Sequence, residues 1–211
     1  MISYSPNMLK TFQTCPQKYL LKYEEKLIMP QKASYFEKGK NIHAIANYYL
    51  RGDNIDKFLQ VLTPEESKLW SLLQNNEYFQ KKYVQSEYNL SCKIDDFWIG
   101  GRIDAIVKDE NSYYILDYKT GAIPKNPEYD LQTIVYLLCL SKHLNKIDGI
   151  NFVYIDLKNN QNHIIKFSQE KKLKYEKDII EICNAIKNAR PLDKVEYSKK
   201  CEFCEYKRIC F

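Results

Sequence analysis

Residues 100–121, GGRIDAIVKDENSYYILDYKTG, read as two strands joined by a turn. Each strand carries one carboxylate, Asp104 on the first and Asp117 on the second, and Lys119 follows Asp117 by two positions. Side chains alternate across a strand, so Asp117 and Lys119 face the same way, with Tyr113 and Ile115. Tyr114, Leu116 and Tyr118 take the opposite face. An apolar strand that happens to end in Asp and Lys is the plain alternative, and the rest of the chain has to decide.

The period-two pattern extends outward. Residues 84–94, 97–107 and 112–119 form an antiparallel meander with turns at Asp95-Asp96 and at Asp109 to Asn111. A helix over about 128–143 follows, then a strand at 150–157. Asn159-Asn160 marks a hairpin to a strand at 162–167. Ser168 caps a last helix running to about Arg190, where Pro191 stops it.

Upstream of the meander the pattern is helical. Ser5-Pro6 is a helix start, and Leu9, Phe12, Tyr19, Leu20 and Tyr23 continue it to about residue 24, with a break near Pro16. Residues 25–33 form a loop. Ser34 with Glu37 makes a capping-box pattern for a helix to about Leu50, with an apolar stripe of Ile42, Ala46 and Tyr49 or Leu50 and with His43 beside it. Thr63-Pro64-Glu65-Glu66 starts another helix, carrying Leu69, Leu72 and Leu73. The expected fold is α/β, a central mixed β-sheet flanked by helices. We expect a single domain over 1–211, with a helical part at 1–83, a core at 84–190 and a cysteine-rich tail at 191–211.

Composition sets limits. At 211 residues and 45% hydrophobic, the chain has enough apolar surface for a substantial core. Net charge is +5, from 32 basic and 27 acidic residues, a mild bias compatible with nucleic acid. The longest apolar run, Ile134 to Leu140, is too short to span a bilayer, and MISYSPNMLK lacks the apolar run of a signal peptide. The expectation is a cytoplasmic protein with no membrane partner. Seven cysteines, an odd number, argue against a disulfide framework. Cys92, Cys139 and Cys183 fall singly in core-like stretches. Cys201, Cys204 and Cys210 form C-x2-C-x5-C, and Cys15 stands near the other end.

Hydrolysis of a phosphodiester needs a hard cation and a nucleophilic water at one point. Magnesium or manganese prefers oxygen ligands. Asp104, Asp117 and the carbonyl of Tyr118 could supply three, and His43 could add a nitrogen, although a histidine beside an apolar stripe also suits a structural role. Lys119 could orient the water or stabilise developing charge. Gln132 and Tyr136 share a helix face at i and i+4. There Gln132 could hold Lys119 or a phosphate oxygen, and Tyr136 could contact the backbone. Arg102 and Lys125 lie beside the acidic centre, where they could hold a DNA strand. Glu87, on the first strand, could lie near the metal site, but reads more simply as a solvated strand residue. The groups Lys171-Lys172-Lys174 and Lys199-Lys200 read as solvated faces.

These residues carry a resemblance over nearly the whole chain. Tyr4-Ser5-Pro6 leads to Cys15-Pro16, then Gly39-Lys40-Asn41-Ile42-His43, Gly101-Arg102-Ile103-Asp104, Leu116-Asp117-Tyr118-Lys119-Thr120-Gly121, Gln132-x3-Tyr136 and the terminal cysteines. In that order they resemble the PD-(D/E)XK nuclease superfamily in its RecB-like branch, with its restriction-endonuclease-like core. Size and cysteines are similar to the CRISPR-associated iron–sulfur exonucleases and to AddB and RecB nuclease domains. The resemblance implies His43, Asp104 and Asp117 as metal ligands, Lys119 as catalytic, and Gln132 and Tyr136 in the site. Asp117 stands where many relatives have Glu.

It also implies a [4Fe–4S] cluster on Cys15, Cys201, Cys204 and Cys210, joining the N-terminal helices to the tail. Zinc on the same thiolates is the alternative. The implied activity is a magnesium- or manganese-dependent DNA exonuclease that trims single strands or ends, in CRISPR adaptation or in recombination and repair. Its implied partners are DNA and a CRISPR integrase or helicase/nuclease subunits. A non-catalytic DNA-end-binding subunit of a larger complex is the alternative.

Overall fold

β3 (Phe97–Lys108) is the strand on which the sheet is assembled. The computed structural model describes residues 3–29, 37–191 and 196–211, and in it β3 pairs with three other strands. β2 (Lys82–Ile94) runs antiparallel along its full length, returning through the Asp95-Asp96 turn with Asp95 at φ 51°. The opposite edge of β3 is shared. β1 (Ser3–Tyr4) pairs parallel with Trp98 and Ile99, and β4 (Tyr113–Lys119) pairs antiparallel from Ala105 to Lys108. β5 (Ile150–Asp156) then lies parallel to β4, and β6 (Gln161–Lys166) antiparallel to β5. The sheet is therefore mixed, as expected, with β2 to β6 within one or two residues of their expected bounds, while β1 was not expected.

Helices cover both faces because the strands alternate apolar side chains to both. On one face α1 (Pro6–Thr14), α6 (Leu131–Leu144) and α7 (Gln169–Asn188) bury Leu9, Leu137, Tyr175 and Cys183 against Ile99, Ile103, Ile115 and Phe152. On the other face lie α3 (Glu37–Leu50) and α5 (Pro64–Gln74). They bury Ile42, Ile45, Trp70 and Leu73 against Ala105, Leu116, Tyr118 and Val153. Leu116 and Tyr118 thus face α3, while Ile115 and Asp117 face α6. Cys92, Cys139 and Cys183 are all buried.

The helix ends follow local chemistry. Ser5 accepts the Met8 amide, and Thr63 and Glu66 close a reciprocal capping box. Cys15 interrupts the first helix in an extended conformation, and Pro16 restarts it as α2 (Pro16–Tyr19), which passes into a wider π-type turn at Leu20–Glu24. α6 begins three residues later than expected because Pro127–Tyr129 forms a separate 3-10 turn and Asp130 is the cap. α4 (Asp56–Leu59), a short turn, is not visible as an apolar period. Ser34, half of the expected capping box at the start of α3, lies outside the described residues.

The α3–α5 layer is closed by a few large side chains, and Leu73 is fully buried among them at 0% exposure. Leu73→Ala is expected to lower unfolding stability by about 2–5 kcal/mol. Ile164→Thr on β6, at a side chain 47% exposed, should change it by less than about 0.5 kcal/mol. Urea unfolding followed by circular dichroism would measure both.

Candidate active site

β3 and β4 stop pairing at Ala105–Leu116, and the next residues along each strand are Asp104 and Asp117. Past that point the backbone of Tyr118 has no β3 partner. Two side chains replace it. Asp104 Oδ2 accepts the Tyr118 amide at 3.1 Å, and His43 Nε2 donates to the Tyr118 carbonyl at 3.0 Å. The other ring nitrogen of His43 lies 3.2 Å from Asp104 Oδ1. Both of its neighbours are acceptors, so the imidazole is satisfied when both nitrogens carry protons. Burial alone would disfavour that charge, but Asp104 and Asp117 outweigh it and raise the pKa of His43.

Asp117 occupies the α6 side of the fork and is 3% exposed. Gln132 Nε2, in the first turn of α6, donates to its Oδ1 at 2.5 Å. Lys119, two residues on and on the same face, places Nζ 2.7 Å from Oδ2. That contact is an ion pair without hydrogen-bond alignment, and Oδ2 is a buried acceptor with no hydrogen bond. Gln132 Oε1 also reaches Lys119 Nζ at 3.5 Å. Tyr136, on the next turn of α6, is buried, and its hydroxyl donates to the Arg102 carbonyl at 2.7 Å. It therefore holds the β3 side of the fork. The close approach leaves no room at Gly101, where a Cβ would meet the Tyr136 ring and hydroxyl at 3.0 Å.

The structure thus brings His43, Asp104, Asp117, Lys119, Gln132, Tyr136 and the Tyr118 carbonyl to one point. It also adds Glu87, whose carboxylate joins His43 and Asp104 with ligand atoms all within 4.8 Å of one another. The reading of Glu87 as a solvated strand residue is corrected: it is ion-paired with Arg102. Counting back equally from the Asp95-Asp96 turn along β2 and β3 puts Glu87 across from Asp104, so the hairpin register alone could have found it. A cleft of about 630 Å³ opens here, lined by Lys40, Asn47, Tyr48, Glu87 and Arg102 among others. Lys125 lies exposed in the loop after β4. Lys171 and Lys174 are used locally, Lys171 on Glu128 at 3.0 Å and Lys174 over the Tyr129 ring. Two or three carboxylates, a carbonyl and an imidazole suit a hard divalent cation.

A second constellation joins the chain ends. Lys18 pairs with Glu205 at 2.8 Å, and the Tyr206 hydroxyl donates to the Leu27 carbonyl at 2.7 Å. Cys15 and Cys201 each accept a backbone amide, from Lys18 and Ser198, at 3.4 Å. The Ser198 bonds lower the pKa of the Cys201 thiol. Burial raises that of Cys210, and the negative charges of Cys204, Cys15 and Cys201 raise it further. Cys210 therefore sits in the field of the other three sulfurs.

Burial, and after it the charge of Asp104, pushes Asp117 up from 3.8 to about 6, against the pull of Lys119 and His43. The folded chain then holds this proton more tightly than the unfolded chain. The contribution of Asp117 to stability is full below pH 3.8 and is lost as pH rises through about 6. Asp117→Asn removes that titration. In EDTA, the stability advantage of the variant over the parent is expected to widen between about pH 4 and about pH 6 and to level off above. Thermal unfolding across that range measures it, and a constant difference would contradict the raised value.

Comparisons with known proteins agree with this geometry. The family model of the PD-(D/E)XK nuclease superfamily matches residues 3–211. The CRISPR-associated exonuclease Cas4 of Francisella tularensis subsp. novicida is 22% identical over 213 residues, covering 99% of this chain and 94% of that protein. The RecBCD enzyme subunit RecB of Borreliella burgdorferi is 33% identical over 126 residues, which span 51% of this chain and 11% of RecB. A crystal structure of a candidate exonuclease from Eubacterium rectale shares the fold, with a TM-score of 0.59 at 15% identity over 98% of this chain and 87% of the other. Among the described residues no helix is long and apolar enough to cross a membrane. With a matching family model over almost its whole length and both carboxylates and the lysine at the strand fork, the chain belongs to the PD-(D/E)XK nuclease superfamily.

Proposed function

We propose that the chain is a magnesium- or manganese-dependent deoxyribonuclease that trims single-stranded DNA or DNA ends. The observation that carries this reading is Asp117, buried at the strand fork between Gln132 and Lys119 and facing Asp104 and His43. Burial and the nearby Asp104 charge make an ionised Asp117 costly, and a divalent cation beside the two carboxylates would lower that cost. Asp104, Asp117 and the Tyr118 carbonyl would hold the ion, with His43 joining them once a ring nitrogen gives up its proton, and the bound ion would polarise the phosphoryl oxygen and favour deprotonation of water. Lys119 orients the attacking water and stabilises charge on the phosphate. Gln132 holds Asp117 and Lys119 in register. Tyr136 fixes β3 through the Arg102 carbonyl, and its burial keeps the hydroxyl protonated as a donor.

The exonuclease reading is supported by the name of the Cas4 relative, and the pathway choice, CRISPR adaptation or recombination and repair, by the Cas4 and RecB relatives together. Integrase or helicase/nuclease subunits are the corresponding partners. The single-strand preference is supported by the cleft rim. There Tyr48 stacks on Phe58 at 4.9 Å and 20°, and both rings are 37% exposed, leaving aromatic surface for an unpaired base. Arg102 and Lys125 supply cations for the strand backbone. We read residues 1–211 as one nuclease domain.

The test is cleavage of end-labelled single- and double-stranded DNA in magnesium, manganese or EDTA. Lys119→Ala should slow cleavage by about 10²–10⁴-fold with an unchanged far-UV spectrum. Full activity in Lys119→Ala would remove the assignment, and DNA binding without cleavage in any metal would favour the end-binding subunit.

We further propose that Cys15, Cys201, Cys204 and Cys210 hold a [4Fe–4S] cluster, which would clamp the tail onto α2 where Lys18–Glu205 and Tyr206–Leu27 already meet. Anaerobically purified protein should contain iron and acid-labile sulfide in equal amounts. Cys201→Ser should lose both and become sensitive to proteolysis after Pro191. Stoichiometric zinc without sulfide would assign the thiolates to the other ion.

A further inference from the structure

Glu87 has a backbone that strands avoid. It lies inside β2 between the pairs Ser86–Ala105 and Tyr88–Ile103, yet its φ is +48°. A left-handed residue with a side chain is unfavourable within a strand, and such strain concentrates where the surroundings impose it at functional sites. The local kink turns the Glu87 carboxylate toward His43 and Asp104 instead of along the sheet face. Ser86 beside it is tied to α3, its hydroxyl donating to Asn47 Oδ1 at 2.6 Å. The kink is therefore fixed from the helix that carries His43.

The charges around the fork are matched in pairs. Lys119 faces Asp117, His43 faces Asp104, and Arg102 faces Glu87. Glu87 is the least confined of the three carboxylates, since its partner is a long side chain 63% exposed at the edge of the cleft. His43, Asp104 and Glu87 bring their ligand atoms within 4.8 Å of one another beside that edge. A divalent ion there would compete with Arg102 for Glu87. A guanidinium released from Glu87 would stand beside the cleft with its donors free, in the geometry that recognises phosphate.

We propose that Glu87 is a further ligand of the divalent ion and exchanges between Arg102 and the ion, so that ion binding frees Arg102 for a phosphate of the DNA strand. The inference rests on the nuclease reading above. It makes ion and strand binding mutually favourable, and that coupling is reciprocal by necessity.

The experiment is Mn²⁺ titration calorimetry on the full chain without DNA. Glu87→Gln should weaken Mn²⁺ binding by about 10-fold or more, as for other carboxylates around a metal. Arg102→Gln should tighten it by removing the competitor, and the double variant should match Glu87→Gln alone. Glu87→Asp, which keeps the charge, covers the case in which the amide disturbs folding, and should retain part of the affinity. In a Lys119→Ala background, Mn²⁺ should tighten binding of a labelled single strand by at least about 5-fold, and Arg102→Gln should abolish that gain. Wild-type Mn²⁺ affinity in Glu87→Gln and Arg102→Gln would overturn the exchange. Asp104→Asn separates the two readings. If it abolishes Mn²⁺ binding while Glu87→Gln does not alter it, only this inference fails. If it too leaves Mn²⁺ binding intact, the metal-centre reading fails.

Discussion

The backbone of Tyr118 has lost its neighbour on the β3 side, and the site follows from how that loss is made good. An unpaired amide and carbonyl within a sheet are costly, so polar groups must take them. Asp104 takes the amide and His43 the carbonyl. That requirement alone draws a carboxylate and an imidazole to the same few ångströms, with Asp117 next along β4 on the opposite face. Beyond the point where β3 and β4 part, β1 occupies the other end of the same β3 edge, at Trp98 and Ile99.

α6 then serves two ends with one helix. Its apolar residues are buried nearly all round, which fixes the helix firmly on the sheet. Gln132 and Tyr136, at i and i+4, ride on that packing and brace the two arms of the fork, one on Asp117 and one on the Arg102 carbonyl. Buried packing thus gives the polar groups a precision that a loop could not. The cost is electrostatic: Asp117 is so desolvated that its pKa rises to about 6. A cation at the fork would relieve that cost, and this links the fold to the proposed chemistry.

The two ends of the chain meet away from the fork. Tyr206 is buried in a tail whose Phe203 and Phe211 are exposed, so apolar packing contributes little there and polar bonds to Leu27 and Lys18 supply much of the attachment. Four thiol groups gather at this weak junction. A small covalent or metal-linked clamp has most to add where the hydrophobic core is thinnest.

Much of this was legible in the sequence. Period-two runs gave the meander to within one or two residues, Ser5, Thr63 and Ser168 announced their helices, and Asp117-x-Lys119 with Gln132-x3-Tyr136 named the centre. Each of these signals is local, set by side-chain alternation or by a cap within three residues of its amide. What only the tertiary structure decided was non-local. The hairpin register puts Glu87 across from Asp104, but no propensity marks the kink at its backbone. Arg102 turned out to be held by Glu87, and Tyr136 to brace the strand carbonyl. The sequence lists the groups, because periodicity fixes which face of an element each side chain takes. Their pairing is decided by where β3 and β4 part, and that depends on how β1 and β4 share one edge of β3 and how the helices pack around it.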